Sequence, residues 1–359
     1  MANTIIQKSL LTVLLALCVM TAAGQDSMSG QPAEVGQDSM SGQPAAAGQD
    51  SVRVQRQRLM FWNVENAFWP EDDATTEDDE FTPAGARHWT MSRLRSKLSQ
   101  LTRVILAAGE GLAPMVVGLA EVEGDSVMDY WTKHTPLRDL HYDYVVTHGP
   151  DRRGIQTALL YIPTDFRLIS AEAHRVMLPE GVRPTRDVLH AAGRLVSGDT
   201  LDVVVCHLPS RLGGARKSQP TRNAAHRCVS AIADSLQHVR QHPLVVIMGD
   251  MNDTPSQRQT WWPDTYHNLM LPLQHDLLLH PSRFGSHKYG GQWSYLDQII
   301  VCNETRQLLH DAQSCCLPFM LTDDVTHQGH RPARSYYGYQ YEGGYSDHLP
   351  VLVCLDVYF

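Results

Sequence analysis

Short apolar runs rich in β-branched residues recur along most of the chain, and they constrain its fold more than any other feature. They lie at 59–64, 115–120, 142–147, 157–162, 201–206, 244–248, 296–301 and 349–357. Runs of this length, bounded by polar or turn residues, are typical of buried strands. Two segments have helical spacing instead, one capped by Thr90 and continuing to Ala108, the other at 221–239. The pattern predicts an α/β (α+β) domain in which sheets pack on each other under helices.

The first 51 residues differ in composition from this pattern. Residues 1–24 combine Lys8, an apolar run and small residues at 21–24, which is typical of a secretory signal peptide. Residues 25–51 lie in a 12-residue tandem repeat, GQDSMSGQPAEV then GQDSMSGQPAAA, whose few large apolar side chains predict a disordered linker. We therefore expect a folded domain at 52–359, in a protein that is secreted or periplasmic.

Two features of the N-terminal segment argue against a membrane anchor. Its apolar run is shorter than the about 20 residues that a spanning helix needs, and no later run approaches that length. Cys18 raises the alternative of a lipoprotein, but Leu17 precedes it where a small residue is expected. The sequence therefore favours export without lipid anchoring and without stable membrane insertion.

The formal charge of the chain is −9, from 30 Lys and Arg against 39 Asp and Glu. A surface with that balance does not attract polyanions by its net charge. Any nucleic acid or other phosphate-bearing partner must therefore meet a local basic patch or a bound cation.

Polar residues that strand propensity does not require stand at the ends of six apolar runs. They are Asn63 with Glu65, Glu121, His207 with Arg211, Asp250 with Asn252, Asp297, and Asp347 with His348. One such ending is ordinary, because Asn and Asp suit turns. Six endings that contribute carboxylates, amides and two histidines predict one shared site at an edge of the sheets.

Four of these side chains are hard oxygen ligands. They are Asn63, Glu65, Glu121 and Asp347. Ligands of this type suit Mg²⁺ or Mn²⁺, with Ca²⁺ as an alternative, and do not suit a soft metal. A divalent ion held by one or two carboxylates, with water and substrate phosphate completing its coordination, is the usual arrangement at phosphoryl centres.

The remaining side chains have complementary chemistry. Asp250 could orient or deprotonate an attacking water, and Asn252 could donate to the developing charge. Asp297 and His348 could pair, with Asp297 fixing the tautomer and favouring the protonated ring. The residues expected to contact the substrate phosphate are His207, Arg211 and Asn252.

Seven motifs occur in an order that resembles the endonuclease/exonuclease/phosphatase superfamily. They are WNVEN (62–66), GLAEVEG (118–124), DRRGIQTALLY (151–161), HLPSR (207–211), GDMND (249–253), LDQIIV (296–301) and SDHLPV (346–351). This group includes pancreatic-type deoxyribonuclease, apurinic endonucleases, inositol polyphosphate 5-phosphatases and neutral sphingomyelinases. The resemblance covers about 59–353 and implies a four-layer sandwich of two mixed β-sheets flanked by helices, with divalent-metal-dependent cleavage of a phosphoester.

Residue by residue, the resemblance assigns metal ligands and catalytic groups. It implies that Asn63 and Glu121 lie at the metal, with Glu65 and Asp347 nearby. It implies that the catalytic residues are His207, Asp250, Asn252, Asp297 and His348. Whether Asp250 or the His348–Asp297 pair is the general base stays open. Cys206 precedes His207 at a position where related sequences often carry Asn, so this chain has no asparagine side chain there to orient His207.

We therefore expect a secreted, divalent-metal-dependent phosphodiesterase, an endonuclease that hydrolyses nucleic acid by in-line attack of a metal-ordered water. The first alternative is a phosphatase or a phospholipid (sphingomyelinase-like) phosphodiesterase, because the motifs describe the scissile phosphate and say little about the group attached to it. The second is a non-catalytic binding protein with the same fold. Against it, every expected site position carries a competent side chain.

Overall fold

The computed structural model describes residues 53–211, 213–257, 262–270 and 285–359. These residues belong to one compact unit. The predicted signal peptide at 1–24 and the predicted linker at 25–51 lie outside the described residues. In the described ranges, no helix combines the length and the apolar character needed to cross a membrane.

Strands hold more of the described residues than helices do. In chain order the strands are β1 (Val54–Ala67), β2 (Val116–Val122), β3 (Asp143–Val146), β4 (Gln156–Tyr161), β5 (Arg167–His174), β6 (Val188–Arg194), β7 (Thr200–His207), β8 (Leu244–Asp250), β9 (Tyr266–Asn268), β10 (His287–Tyr289), β11 (Gln292–Ser294), β12 (Asp297–Cys302), β13 (Leu309–Ser314), β14 (Leu321–Asp323), β15 (His330–Pro332), β16 (Tyr336–Tyr337), β17 (Gln340–Tyr341) and β18 (Val351–Tyr358). The helices are α1 (Met91–Ala108), α2 (Asp125–His134), α3 (Ala215–Val239) and α4 (Asn303–Gln307).

Two six-stranded mixed sheets form the body of the domain. Sheet A has the order β13-β18-β1-β2-β4-β3, and sheet B has the order β5-β6-β7-β8-β12-β9. In sheet A, β1 runs parallel to β2 and antiparallel to β18. In sheet B, β7 runs parallel to β8 and antiparallel to β6. Each sheet contains one parallel pair, β1–β2 in sheet A and β7–β8 in sheet B. The carboxyl ends of these four strands lie in the same region of the molecule.

Strand alternation divides the core into layers. On β1, Met60, Trp62 and Val64 pack with α1 and α2, whereas Leu59 and Phe61 point the other way, into a core shared with sheet B. Successive strand residues face opposite sides of a sheet, so both faces of β1 are buried. Sheet A is therefore covered by helices on one face and by sheet B on the other.

Sheet B repeats this arrangement. Val203 and Val205 of β7 lie in the core between the sheets, whereas Val204 and Cys206 pack under α3. The sheets approach closely at Gly118, where a Cβ atom would lie 2.7 Å from Sδ of Met248. The order of layers is helices α1 and α2, sheet A, sheet B and helix α3, which confirms the predicted four-layer sandwich.

The structure contains every predicted strand and both predicted helices, with shifted ends. Thr90 caps α1 as predicted, its side chain accepting from the Arg93 N–H. Helix α3 begins at Ala215 and not at 221, so the predicted start was wrong. Pro220 is the sixth residue of α3 and lies inside the helix, where it removes one intrahelical hydrogen bond. Helices α2 and α4 and strands β5, β6, β9–β11 and β13–β17 were not predicted.

Candidate active site

Four polar residues continue the rows of side chains that fill the space between the sheets. They are Asn63 on β1, His207 on β7, Asp250 on β8 and Asp297 on β12. Each stands two residues from an apolar side chain in the inter-sheet core, namely Phe61, Val205, Met248 and Ile299. Because side chains two apart on a strand share a face, the four point into one region. The sandwich thus ends in a polar cluster.

Asp250 lies at the centre of this cluster. Its Oδ2 accepts a hydrogen bond from Nδ2 of Asn63 at 3.1 Å. The same oxygen lies 3.6 Å from Nε2 of His207 and 4.0 Å from Nε2 of His348. Its Oδ1 accepts from the Asn252 N–H at 2.9 Å. Burial raises the pKa of Asp250, and the charge of His348 lowers it by a smaller amount. The net increase makes this carboxyl a better proton acceptor than an exposed aspartate.

His348 and Asp297 form the predicted pair. Nδ1 of His348 lies 2.6 Å from Oδ2 of Asp297, and Oδ1 of Asp297 is buried without a hydrogen-bond partner in the ranges that the structure describes. Because an ionised carboxylate only accepts, this contact places the proton on Nδ1. Burial alone would lower the pKa of His348, but the charge of Asp297 and its hydrogen bond outweigh burial and hold that pKa well above its usual range. The pair therefore carries a protonated ring at neutral pH.

The backbone around His348 is fixed by two further contacts. Its carbonyl oxygen accepts from Nε1 of Trp62 at 2.9 Å. Its N–H donates to Oγ of Ser346 at 3.1 Å, and that hydroxyl donates to the carbonyl oxygen of Asn63 at 2.7 Å. The SDH motif is thereby tied to the end of β1. These contacts leave the imidazole little freedom to turn away from Asp250.

His207 has the opposite electrostatic environment. Its Nε2 lies 3.9 Å from Oε1 of Glu121, and no described residue forms a hydrogen bond with its buried Nδ1. Burial, followed by the charges of Arg186 and Arg153, lowers the pKa of His207 well below its usual range. The site thus combines one neutral and one protonated imidazole on either side of Asp250.

The four expected metal ligands fall into two groups, with Asn63 and Glu65 buried and Glu121 and Asp347 partly exposed. Oδ1 of Asn63 accepts a hydrogen bond from the Glu65 N–H at 3.0 Å. Glu121 is partly exposed, with Oε2 accepting from the Asn66 N–H at 3.0 Å, and Asp347 is partly exposed with Oδ1 4.0 Å from Nε2 of His348. Glu65 is buried, and Oε2 accepts from the Ser335 N–H at 2.7 Å. Glu121 and Asp347 can accept a cation from the side of the solvent, whereas Glu65 braces the loop that precedes Asp347.

The donor set fits a hard divalent cation. Burial opposes ionisation of Asp347, but the charges of His348 and His287 outweigh it and hold the pKa of Asp347 below its usual range. In one group of ligand atoms within 4.8 Å of one another, Asp347 lies with those two histidines, and in another His348 lies with Asp250 and Asp297. Ionised carboxylate oxygens beside amide oxygen are the ligands that Mg²⁺ and Mn²⁺ prefer.

Backbone strain is concentrated at this site. Glu65, Asn66, Glu121 and Asn252 all have positive φ, at 53°, 53°, 67° and 51°. Such conformations cost on the order of 1–3 kcal/mol each for residues other than glycine and persist where the surrounding structure enforces them. The register of β1 with β2 shifts between Asn63 and Ala67. These irregularities aim the side chains at the strand ends toward the gap between the sheets.

Two expected phosphate contacts are held by other partners. Nη2 of Arg211 donates to Oδ1 of Asp253 at 3.0 Å and also bonds Gln257, so its guanidinium is tied to the loop after Asp250. Nδ2 of Asn252 donates to the carbonyl oxygen of Leu208 at 2.8 Å. The second hydrogen of the Asn252 amide leaves capacity for a further acceptor. Of the three expected contacts, the structure therefore places His207 and Asn252 beside Asp250 and ties Arg211 elsewhere.

Sequence reasoning missed three residues at this site. The buried Arg186 pairs with Oδ2 of Asp151 at 3.1 Å, and its charge acts on His207. The His287 ring lies 4.6 Å from the His348 ring, between centroids, and burial followed by the charge of His348 lowers the pKa of His287 to about 4. Neither position follows an apolar run, so strand ends gave no signal for them. Of these residues only Asp151 lies in one of the quoted motifs, where it is the first residue of DRRGIQTALLY.

The third missed residue is Lys97, which lies on the buried face of α1. Its Nζ donates to Oγ of Ser335 at 2.6 Å and to the carbonyl oxygen of Tyr345 at 3.0 Å. Burial lowers the pKa of Lys97, whereas the charges of Glu65 and Asp347 oppose that shift. A cation under two carboxylates reduces their mutual repulsion. A helical wheel could have found Lys97, because it adjoins the apolar Leu94, Leu98 and Leu101 row.

Two facing mixed sheets, with acidic, amide and imidazole groups gathered at one end of the space between them, define an α/β sandwich of the phosphoesterase class. A family model described as Endonuclease/Exonuclease/phosphatase family matches residues 58–357. The chain therefore belongs to the endonuclease/exonuclease/phosphatase family, as its motifs predict. No curated protein sequence matches the chain significantly.

Several solved structures share the fold at low sequence identity. Truncated TDP2 from Caenorhabditis elegans is 15% identical, with a TM-score of 0.52 over 84% of this chain and 98% of that one. TDP2 from D. rerio, solved in complex with a single strand DNA product, is 13% identical, with a TM-score of 0.50 over 84% and 99%. A family protein from Bacteroides thetaiotaomicron is 13% identical, with a TM-score of 0.53 over 85% and 96%. These likenesses establish the fold.

Proposed function

We propose that this protein is a secreted, Mg²⁺- or Mn²⁺-dependent phosphodiesterase that cleaves nucleic acid endonucleolytically. The observation that carries the proposal is the position of Asp250, which lies within 4.0 Å of both His207 and His348 and bonds Asn63. Acid, base and amide groups that converge on one carboxylate suit transfer of a phosphoryl group to water. Membership in the family supports phosphoester chemistry.

In this proposal Glu121 and Asp347 are the principal metal ligands, with Asn63 beside them and Glu65 supporting the adjoining loop. When bound, the ion would neutralise charge on the substrate phosphate and lower the pKa of a water molecule. Every other step belongs to side chains of the chain itself. Expected metal affinity thus depends on two partly exposed carboxylates, Glu121 on β2 and Asp347 in the segment that leads into β18, and both of these strands belong to sheet A.

Asp250 and His348 carry the proton transfers in this proposal. Asp250 orients the attacking water, and its raised pKa suits acceptance of the water's proton. The protonated His348, held by Asp297, donates a hydrogen bond to a phosphate oxygen and stabilises the charge that develops there. Neutral His207 and the amide of Asn252 supply further contacts to the phosphate. Arg186 and Arg153 add positive charge near His207, as a chain of net charge −9 requires at a polyanion site.

Nucleic acid as the substrate has independent support. The D. rerio TDP2 structure that shares this fold holds a single strand DNA product. Secretion is supported by the sequence at 1–24, which has the pattern of a signal peptide. Expression with the native N-terminus, followed by N-terminal sequencing of the exported protein, tests secretion. A protein retained in the cytoplasm with residues 1–24 intact would contradict it.

The activity is tested by incubating the purified protein with plasmid DNA, RNA, bis-p-nitrophenyl phosphate and p-nitrophenyl phosphate in parallel. Each substrate is assayed with Mg²⁺ or Mn²⁺, with and without EDTA. We expect nicking of the closed plasmid and release from the diester, both abolished by EDTA. Release from the monoester alone would replace the proposal with a phosphatase. An absence of turnover on every substrate and in both metals would favour a non-catalytic binding protein.

An apolar cleft favours a second candidate, a phospholipid (sphingomyelinase-like) phosphodiesterase. The cleft has a volume of about 560 Å³, and its lining includes Trp293, Leu321 and Leu349. Leu349 follows His348 directly in the chain, so an apolar part of a substrate could lie close to the scissile phosphate. Mixed micelles that contain sphingomyelin or phosphatidylcholine test this candidate. Release of a phosphorylated headgroup at a rate above that of plasmid cleavage would favour it over the nuclease.

A further inference from the structure

A second cluster of potential metal ligands lies on the outer face of sheet B, away from the inter-sheet site. Glu172 and His174 stand two residues apart on β5, so they share a face, and His190 of β6 is the register partner of Glu172. One ligand atom from each of the three lies within 4.8 Å of the other two. His190 shares its face with Val188, which packs under α3. This face is opposite to the one that carries His207.

We propose that Glu172, His174 and His190 form a binding site for a borderline transition-metal ion such as Zn²⁺, separate from the phosphoesterase site. Two imidazoles and one carboxylate are a donor set that zinc uses in proteins, and imidazole suits Zn²⁺ better than Mg²⁺. Three protein ligands leave a fourth position open to water or another small ligand. The site therefore differs in metal preference from the oxygen-rich site between the sheets.

The orientation of His190 supports this assignment. Its Nε2 lies 2.8 Å from Oδ1 of Asp202, a fully buried carboxylate. Because the carboxylate accepts, the proton lies on Nε2 and the Nδ1 lone pair stays available to a cation. Both oxygens of Asp202 also accept from Arg240, at 2.7 Å each, so the carboxylate is rigidly held. A carboxylate that holds the far nitrogen of a ligating histidine is the usual support of a zinc ligand.

The second ligand, His174, has an unused nitrogen inside the cluster. Its Nε2 is buried, has no hydrogen-bond partner among the described residues, and lies 3.9 Å from Oε2 of Glu172. A buried polar atom without a partner is costly, and a bound cation would satisfy this one.

The cluster is open to solvent through a cleft beside the end of α3. The cleft has a volume of about 660 Å³, and Glu172, His174 and His190 line it together with Cys228 and Arg240. The side chains of Glu172 and His174 are 65% and 33% exposed, whereas that of His190 is 11% exposed. An ion can therefore reach the cluster without unfolding, and the two more exposed ligands can be replaced without opening the core.

The test is the zinc content of the whole purified protein after chelation, equilibration with micromolar free Zn²⁺ and removal of unbound ion. We expect His174→Ala and Glu172→Gln each to bind one Zn²⁺ per chain fewer than the unaltered protein. His238→Ala is the matched control, because His238 is an exposed histidine beside Asp234 on α3 and belongs to no group of three potential ligands among the described residues. We expect this control to bind as much zinc as the unaltered protein.

The same comparison in an Asp347→Ala background separates the two sites, because that background weakens only the inter-sheet site. We expect His174→Ala to remove one Zn²⁺ there as well. Co²⁺ provides a second measurement, since its visible absorption bands report nitrogen and oxygen ligands, and the bands should weaken in His174→Ala. Equal zinc content in His174→Ala, Glu172→Gln and unaltered protein would overturn the proposal, whatever the phosphoesterase activity is.

Discussion

Two aspartate–histidine pairs lie on opposite sides of sheet B. Asp297 and His348 meet at 2.6 Å between the sheets, and Asp202 and His190 meet at 2.8 Å on the outer face. Both aspartates are fully buried. By local geometry alone the two pairs would be expected to have the same role.

Their neighbours make them different. Burial opposes ionisation of Asp202, but hydrogen bonds from Arg240 and His190 outweigh it and hold the pKa of Asp202 below its usual range. Within the described part of the chain, no arginine bonds Asp297, and its Oδ1 is buried without a hydrogen-bond partner. Arg240 neutralises Asp202, so the outer pair only holds His190 in place. The charges of Asp297, Asp250 and Asp347 are not neutralised in this way, and they favour a protonated His348 that can donate to a substrate.

The largest effect is expected from removing the inter-sheet imidazole. His348→Ala should lower turnover by at least about 1000-fold, because a positioned acid or base contributes about 10²–10⁴-fold and this ring also stabilises charge. Steady-state kinetics on plasmid or diester measure the loss. Circular dichroism checks the fold, and His238→Ala serves as a surface histidine control. Turnover of His348→Ala within tenfold of the unaltered protein would remove His348 from the mechanism.

The corresponding change in the outer pair should affect stability and not catalysis. Asp202→Asn leaves Arg240 without its buried partner and should lower the free energy of unfolding by about 3 kcal/mol. Urea denaturation measures this loss. The turnover number, measured below the unfolding temperature, should stay unchanged. A loss of turnover without a loss of stability would show that the two pairs do not differ as described.

This stability difference should depend on pH in one direction. Because the folded-state pKa of Asp202 lies below its ordinary value of 3.8, the carboxylate stabilises the fold fully above that value. The contribution is lost as the pH falls through the lower folded-state pKa. The gap between unaltered protein and Asp202→Asn should be constant from neutral to mildly acidic pH and should shrink below about pH 4. A gap that grows in acid would contradict the assignment.

Removing only the charge of the inter-sheet aspartate should give an intermediate effect. Asp297→Asn keeps the size of the side chain but no longer favours protonated His348, and we expect turnover to fall about 100-fold, or about 2.7 kcal/mol. Because the pKa of His348 falls, the loss of activity at high pH should begin at lower pH than in the unaltered protein. A pH–rate profile measures this shift. An unmoved alkaline limb would mean that the charge of His348 is not required.

The smallest effect is expected at Arg211, which the sequence assigned to phosphate binding. Its guanidinium is tied to Asp253 and Gln257, so Arg211→Ala should change kcat/KM by less than about tenfold, or about 1.4 kcal/mol. Kinetics on a short oligonucleotide and on plasmid measure this change. A loss of about 100-fold or more would show that Arg211 contacts the substrate phosphate, as the sequence predicts. The inter-sheet pair Asp297–His348 would then act together with a basic patch that includes Arg211.

Much of the fold and part of the site could be predicted because both depend on local pattern. Strands with both faces buried, such as β7 and β8, read as continuous apolar runs. Strand β5 escaped prediction because most of its residues are exposed, so no apolar alternation marks it. Helix α2 is short and carries few apolar residues. The four-layer arrangement followed from the motifs, since no local pattern specifies how two sheets face each other.

The sequence by itself determined that Asn63, His207, Asp250 and Asp297 gather at one edge of the sheets, because each stands at the end of an apolar run. Only the structure shows that their side chains share the space between the sheets, because strands buried on both faces carry no alternation that marks one face. Tertiary structure alone decided what surrounds them. His287 reaches His348, and Lys97 reaches the loop that Glu65 braces, across long stretches of chain that carry no shared period. The sign of each pKa shift follows from those distant neighbours and from burial. Local pattern fixes where a strand ends, and packing fixes which charges its side chains meet.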